Sequence, residues 1–240
     1  MELRAEGISR RFLRKSGSSN IFMALEETDF VLPGGKLTEV TGRSGSGKST
    51  LLNILAGLLV PTTGKVYLGT EDLYAMPDEA RSVLRNRHIG IIPQGQTALH
   101  SLTVLENVLL PRRMYPKPNG PENAVEVLSP AEEETRARTL LEKVGISHLA
   151  EVWPNELSGG EMRRLAIARA LMMRPEVILA DEPTGDLDDE NTRSVLKLLR
   201  DCADAGAAVL LVTHETEARD YADKVFVMGQ GKLTEALHAV

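Results

Sequence analysis

The 240-residue sequence holds a single cysteine, Cys202, so no disulfide can form within the chain, and a reducing compartment is expected. Positive charge is not in excess: 28 Lys and Arg stand against 34 Asp and Glu, a formal net charge of −6. That balance argues against the broad basic face with which nucleic-acid binders grip phosphates, and no nucleic-acid partner is expected. A local anion pocket remains open, since it needs only one lysine and a few backbone N–H groups. Long apolar runs are also missing. In the N-terminal half the longest, Leu51–Val60, is broken by Asn53 and Gly57 and falls well short of the roughly 18–20 residues that span a bilayer. Arg10, Arg11, Arg14 and Lys15 resemble a signal-peptide n-region. Ile21–Leu25 behind them is shorter than an h-region of about 7–15 residues and runs into Glu26 and Glu27. The chain is expected to stay in the cytoplasm, and work at a membrane would need another chain to supply the span.

What is present has the balance of a globular protein, with 42% hydrophobic and 26% charged residues. Short apolar runs alternate with helical patterns, which predicts an α/β fold. Candidate strands are Leu37–Thr41, Ile89–Ile92, Val177–Ala180, Ala208–Thr213 and Val225–Met228. The last four are almost wholly apolar, as expected of strands covered on both faces of a mainly parallel sheet. One helix is predicted over Lys48–Ala56, closing at Gly57, and another runs from Asp188 to Gly206. A third starts near Glu161 and stops before Pro175. Residues 111–130 carry Pro111, Pro116, Pro118, Pro121 and Pro130 and read as a loop or extended connector. Ser129-Pro130-Ala131-Glu132 has the form of a capping box, opening a helix that runs to about Val144 and ends at Gly145. One domain, 1–240, is expected: a core from about 1–94 and 161–240, with a helical subdomain inserted over about 95–160.

Gly42-Arg43-Ser44-Gly45-Ser46-Gly47-Lys48-Ser49 fits G-x-x-x-x-G-K-[ST], with an apolar strand before it and an apolar helical pattern after it. The glycines let backbone N–H groups converge on a phosphate at a helix N-terminus, where the dipole also favours an anion. Lys48 adds a charge for the β- and γ-phosphate oxygens, and the Ser49 hydroxyl can ligate Mg²⁺. A nucleoside triphosphate site is expected. Val177–Ala180 leads into Asp181 and Glu182, two acids at the end of a buried strand. Asp181 suits the Mg²⁺ shell, and Glu182 suits orienting or deprotonating a water.

Leu157-Ser158-Gly159-Gly160-Glu161, followed by the amphipathic stretch Met162–Leu171, forms a second anion-binding helix start. With this motif the chain resembles the ATP-binding-cassette (ABC) ATPases over nearly its whole length and in the same motif order. The resemblance implies a P-loop core with an N-terminal antiparallel β region, and a cofactor set of ATP and Mg²⁺. It implies a nucleotide cradle of Gly42, Ser44, Gly45, Ser46, Gly47, Lys48, Ser49 and Thr50, with Gln94 sensing Mg²⁺ and the γ-phosphate. Glu182 resembles the catalytic glutamate, Pro183–Asp188 the loop after it, and His214 the histidine at the γ-phosphate. Phe12 falls where an aromatic stacks on adenine, although Phe22 is close in sequence. In a head-to-tail pair, Ser158, Gly159, Gly160 and Glu161 of one copy would complete the site around Lys48 and Ser49 of the other. The implied partners are therefore a second cassette and an integral membrane permease, with the chain peripheral on the cytoplasmic face.

Glu182–Asp188, Leu102–Val108 and Leu51–Gly57 resemble the branch of macrolide exporters, lipoprotein-release ATPases and the cell-division ATPase. An exporter or extractor subunit is the expected function. A cassette that drives a conformational signal in a membrane protein, without transport, is the alternative. The chain departs from the pattern at Arg43, where proline is common, and at Pro93, where an aromatic or aliphatic residue is usual. Met162 and Arg163 stand for two glutamines, and Asp186 for an asparagine.

Overall fold

The computed structural model describes residues 1–13, 21–95, 97–114 and 128–236. An antiparallel sheet contains β1 (Leu3–Leu13), β2 (Ile21–Leu32), β4 (Thr63–Leu68) and β5 (Glu71–Asp72), in the order β2-β1-β4-β5. A second sheet contains β3 (Leu37–Thr41), β6 (Ile89–Ile92), β7 (Val177–Asp181), β8 (Ala208–Val212), β9 (Lys224–Gly229) and β10 (Lys232–Glu235). Its order is β10-β9-β3-β8-β7-β6, parallel from β9 to β6 and antiparallel only at β10. The helices are α1 (Lys48–Leu55), α2 (Asp78–His88), α3 (Val104–Met114), α4 (Pro130–Lys143), α5 (Gly159–Leu171) and α6 (Asp189–Asp204). Among the described residues no helix is long and apolar enough to cross a membrane.

The parallel sheet separates two apolar cores, and the period of two along its strands decides which residue joins which. Val177 and Leu179 of β7, with Ala208, Leu210 and Val212 of β8, pack against α1 and the antiparallel sheet. Ile178 and Ala180, with Val209 and Leu211, face the other way, into a core shared with α3, α4, α5 and α6. Of the apolar strands read from the sequence, β7 and β8 are buried on both faces and β6 nearly so, whereas in β9, beside the edge strand β10, Val227 is exposed. Helices α3 and α4 pack on α5, and α5 packs on β6, so the helical segment shares its core with the sheet.

Local signals place most helix ends. Ser129 caps α4 through a complete capping box with Glu132, and Pro130 takes the first helical position. Asp188 caps α6 by accepting from the Asn191 N–H. Helix α5 starts at Gly159, two residues ahead of the predicted start, because Ser158 and Glu161 form a second capping box. The connector predicted from residue 111 begins later. Pro111 lies inside α3, which continues to Met114 although proline lacks the N–H that would bond back to Asn107. Asn86 Nδ2 donates to the Pro111 carbonyl at 3.0 Å and ties that turn to α2. Pro116, Pro118 and Pro121 lie outside the described residues.

Candidate functional site

Strand β3 ends at Thr41 and α1 begins at Lys48, and the loop between them is pinned from behind by two neighbouring strands. Gly42 has φ 150°, and a Cβ there would lie 2.2 Å from the Met228 carbonyl oxygen of β9. Gly47 has φ 114°, and its Cβ would lie 2.3 Å from the Ala24 carbonyl oxygen of β2. Neither position admits a side chain. Ser46 N–H donates to the Arg43 carbonyl at 3.2 Å, and Gly231 N–H donates to the Ser46 carbonyl at 2.8 Å, which curls the loop. Lys48 Nζ bridges the Gly42 and Arg43 carbonyls at 2.7 and 3.3 Å. No side chain caps the start of α1 and no acid lies in its first turn, so its N–H donors face the loop's concave side.

That concave side is the floor of a cleft of about 690 Å³. Phe12, Phe22, Gly42, Ser44, Gly45, Gly47, Lys48, Ser49, Thr50, Gln94, Asp181, Glu182 and His214 all line it. Residues remote in sequence thus converge on one volume. Phe12 and Phe22 face each other across the β1–β2 ladder, and the Arg10 guanidinium lies 4.7 Å from the Phe12 ring centroid. Ser46 does not line the cleft: its Oγ is buried beneath the loop without a hydrogen-bond partner.

The carboxylates stand opposite the loop. Asp181, the last residue of β7, is 7% exposed. Burial pushes its carboxyl pKa up, against a hydrogen bond from Ser49 that pulls it down. Glu182 follows with φ 50°, a left-handed conformation uncommon for a residue with a side chain, and its N–H is held by the Val212 carbonyl at 2.8 Å. His214 lies two residues beyond the end of β8 and places Nδ1 2.9 Å from Glu182 Oε2. Hydrogen bonding to Glu182, reinforced by its charge, raises the imidazole pKa above 6.5. The Glu182 side chain is nearly enclosed and that of His214 is 71% exposed, so the carboxylate is the fixed partner.

Ser158, Gly159, Gly160 and Glu161 do not line this cleft. They lie beside the loop that follows Glu182: a Cβ on Gly160 would lie 3.4 Å from the Asp186 carbonyl oxygen. Glu161 Oε2 accepts from Ser158 N and Ser158 Oγ, both at 2.7 Å, and these bonds hold its carboxyl below the ordinary range. Glu161 is thus engaged in the cap of α5. Sequence reasoning missed Arg163 as a connecting residue. Its guanidinium reaches from α5 to the Pro93 and Gln94 carbonyls, a contact between distant segments that no local pattern encodes.

The arrangement can hold a polyphosphate on loop N–H groups and Lys48, a divalent cation between Ser49 and Asp181, and a water against Glu182. Residues 25–185 match the family model described as ABC transporter. The chain is 38% identical over 234 residues to the lipoprotein-releasing system ATP-binding protein LolD of Xanthomonas axonopodis pv. citri, covering 97% of this chain and 90% of that protein. The LolD protein of Xanthomonas oryzae pv. oryzae is 37% identical over the same shares. Among solved structures, the dimeric post-hydrolysis state of the ATP-binding cassette MJ0796 bound to ADP and Pi superposes with a TM-score of 0.86 at 31% identity, covering 97% of this chain and 98% of that one. A nucleotide-free cassette from an ABC transporter gives 0.77 at 30% identity, covering 98% and 91%. The chain belongs to the ABC transporter family and is one of its ATP-binding, ATP-hydrolysing cassettes.

Proposed function

We propose that this chain is the ATPase subunit of an extractor or exporter, working from the cytoplasmic face on a separate transmembrane permease. Lipoprotein release, the role printed in the names of its LolD relatives, gives the cargo class of this reading. The observation that carries it is the gathering of Lys48, Asp181, Glu182 and His214 around one cleft floored by uncapped helix N–H groups. Phe12, backed by Arg10, and Phe22 offer aromatic faces to the base. Lys48 leaves its loop carbonyls for the β- and γ-phosphate oxygens. Ser49, Asp181 and Gln94 would hold Mg²⁺, and the donor set fits: a hydroxyl, an amide oxygen and a buried carboxylate already in contact with that hydroxyl. When bound, the cation neutralises charge on the β- and γ-phosphates. Glu182 orients the attacking water and takes its proton, and His214 turns from Glu182 to the γ-phosphate.

No single copy closes this cleft over the nucleotide, because Ser158–Glu161 lie elsewhere on its surface. A second copy, placed head to tail, brings Ser158 and Gly160 to the γ-phosphate and makes two composite sites. ATP then closes the pair and hydrolysis opens it, and the permease takes up that movement. The test is Glu182→Gln. The variant is expected to bind ATP with wild-type affinity, form a stable ATP-dependent dimer and turn over at least about 100-fold more slowly, the scale of a lost general base. Near-normal turnover would remove Glu182 from the chemistry.

A further inference from the structure

Arg163 lies one turn into α5 with its side chain only 11% exposed, yet both ends of its guanidinium are occupied by segments outside that helix. Nη1 donates to the Pro93 carbonyl at 3.0 Å and to the Gln94 carbonyl beside it. Nη2 stands 4.0 Å from Asp186 Oδ2, and a Cβ on Gly185 would lie 3.6 Å from it. Asp186 has φ 65° and therefore sits in a left-handed turn, four residues past Glu182, which is itself at φ 50°. One planar cation thus joins the segment that carries Gln94 into the cleft, the helix opened by Ser158, and the turn that carries Glu182. Only a forked donor can do this: a lysine has the charge but not two fixed donor directions, and a glutamine has one donor nitrogen and no charge.

We propose that Arg163 is a positioning residue, charge-matched to Asp186, that holds the Gln94 backbone and the Glu182–Asp186 turn in fixed relation to α5. Most of the hold comes from the two carbonyl bonds, which are made by a nearly enclosed guanidinium, since Asp186 is 79% exposed and its pairing is weakened by solvent. Removing the cation alone has a second effect. It leaves the Asp186 carboxylate without its cation on the turn that follows Glu182.

The proposal rests on the ATPase reading, and its test separates the two. Steady-state hydrolysis is measured for wild type, R163Q, R163K and R163Q/D186N, with amide hydrogen exchange of the nucleotide-free proteins alongside. Expected is an approximately 10-fold fall in kcat for R163Q and R163K with KM for ATP within about 2-fold, as for loss of alignment rather than of binding. The double variant is expected to stay within about 2-fold of R163Q, because removing the exposed Asp186 charge does not restore the two carbonyl bonds. In R163Q, exchange should quicken at residues 94–95 and 185–187 together. Unchanged kcat in both single variants, a loss confined to KM, full recovery in the double variant, or unchanged exchange at either segment would overturn the proposal. A wild-type protein that hydrolyses no ATP would overturn the functional reading instead, and hydrogen exchange would still decide whether Arg163 holds the two segments.

Discussion

Glu39 stands in the middle of β3, between Leu211 of β8 and Val225 of β9, and is 1% exposed. A charged side chain in the centre of a two-sided sheet is costly unless paired. Its Oε2 has no hydrogen-bond partner, and burial pushes its carboxyl pKa above 4.5, with Arg219 on the adjoining 3₁₀ turn pulling it back only in part. Replacement by glutamine keeps the shape and removes the charge. A buried polar group without a partner costs about 1–3 kcal/mol, and more when it is charged, so exchanging the carboxylate for an amide is worth on the order of 1–3 kcal/mol. At about 2–4 °C per kcal/mol for a chain of this size, Glu39→Gln should raise Tm by roughly 2–12 °C at neutral pH. The sign with pH follows from the direction of the shift. The folded state binds this proton at a higher pH than the unfolded chain does, so its stability is greatest below the unfolded value of 4.5 and falls as pH rises through the folded one. The gain from glutamine should therefore be largest above that window and shrink toward zero at its acid end. Thermal unfolding of both proteins across the acid-to-neutral range, without nucleotide, measures it. A variant no more stable than wild type at neutral pH, or a gain of equal size at both ends of the range, would refute the reasoning.

Because the contact with Glu182 raises the His214 pKa, its imidazole should hold its proton to higher pH than a free histidine. An NMR titration of the nucleotide-free protein should place its midpoint above 6.5, and Glu182→Gln should bring that midpoint down. If the composite site is assembled from two copies, specific ATPase activity should rise with protein concentration. Ser158→Arg should abolish that activity while ATP still binds in equilibrium dialysis. The lost cap of α5 should cost only about 1 kcal/mol, measured by thermal unfolding, so loss of ATP binding together with activity would count against a site made in trans.

Strands β6, β7 and β8 were legible because residues buried on both faces leave a continuous apolar run, and the apolar run Val225–Met228 marked β9 although only Val225 and Met228 are buried there. Strands β1, β2 and β4 were not, since they alternate with exposed residues and the β1–β2 register shifts at three places, which breaks the period of two. Helix α2 buries none of its residues, so it carries no apolar stripe to read. Pro111 marks an interruption by local rules, yet the packed face of α3 overrides it. At the site, the phosphate loop is contiguous and could be read from its own spacing. Gln94, His214 and Phe12 are single residues at strand ends, and nothing local distinguishes them. Resemblance alone pointed to them, and the fold brings them to one cleft. Arg163 was noticed only as an unusual residue, because what it holds lies 69 and 70 positions away.

The alternation along β7 has a mechanical consequence. Since Val177 and Leu179 are locked into one core while Ile178 and Ala180 are locked into the other, the strand can neither slide nor rotate without disturbing both. Asp181 and Glu182, mounted at its end, therefore behave as a stator. On the proposed function, the working stroke falls to what surrounds them: His214 on its short span past β8, the exposed side chain of Gln94, and a second copy of the chain, while the two acids stay still.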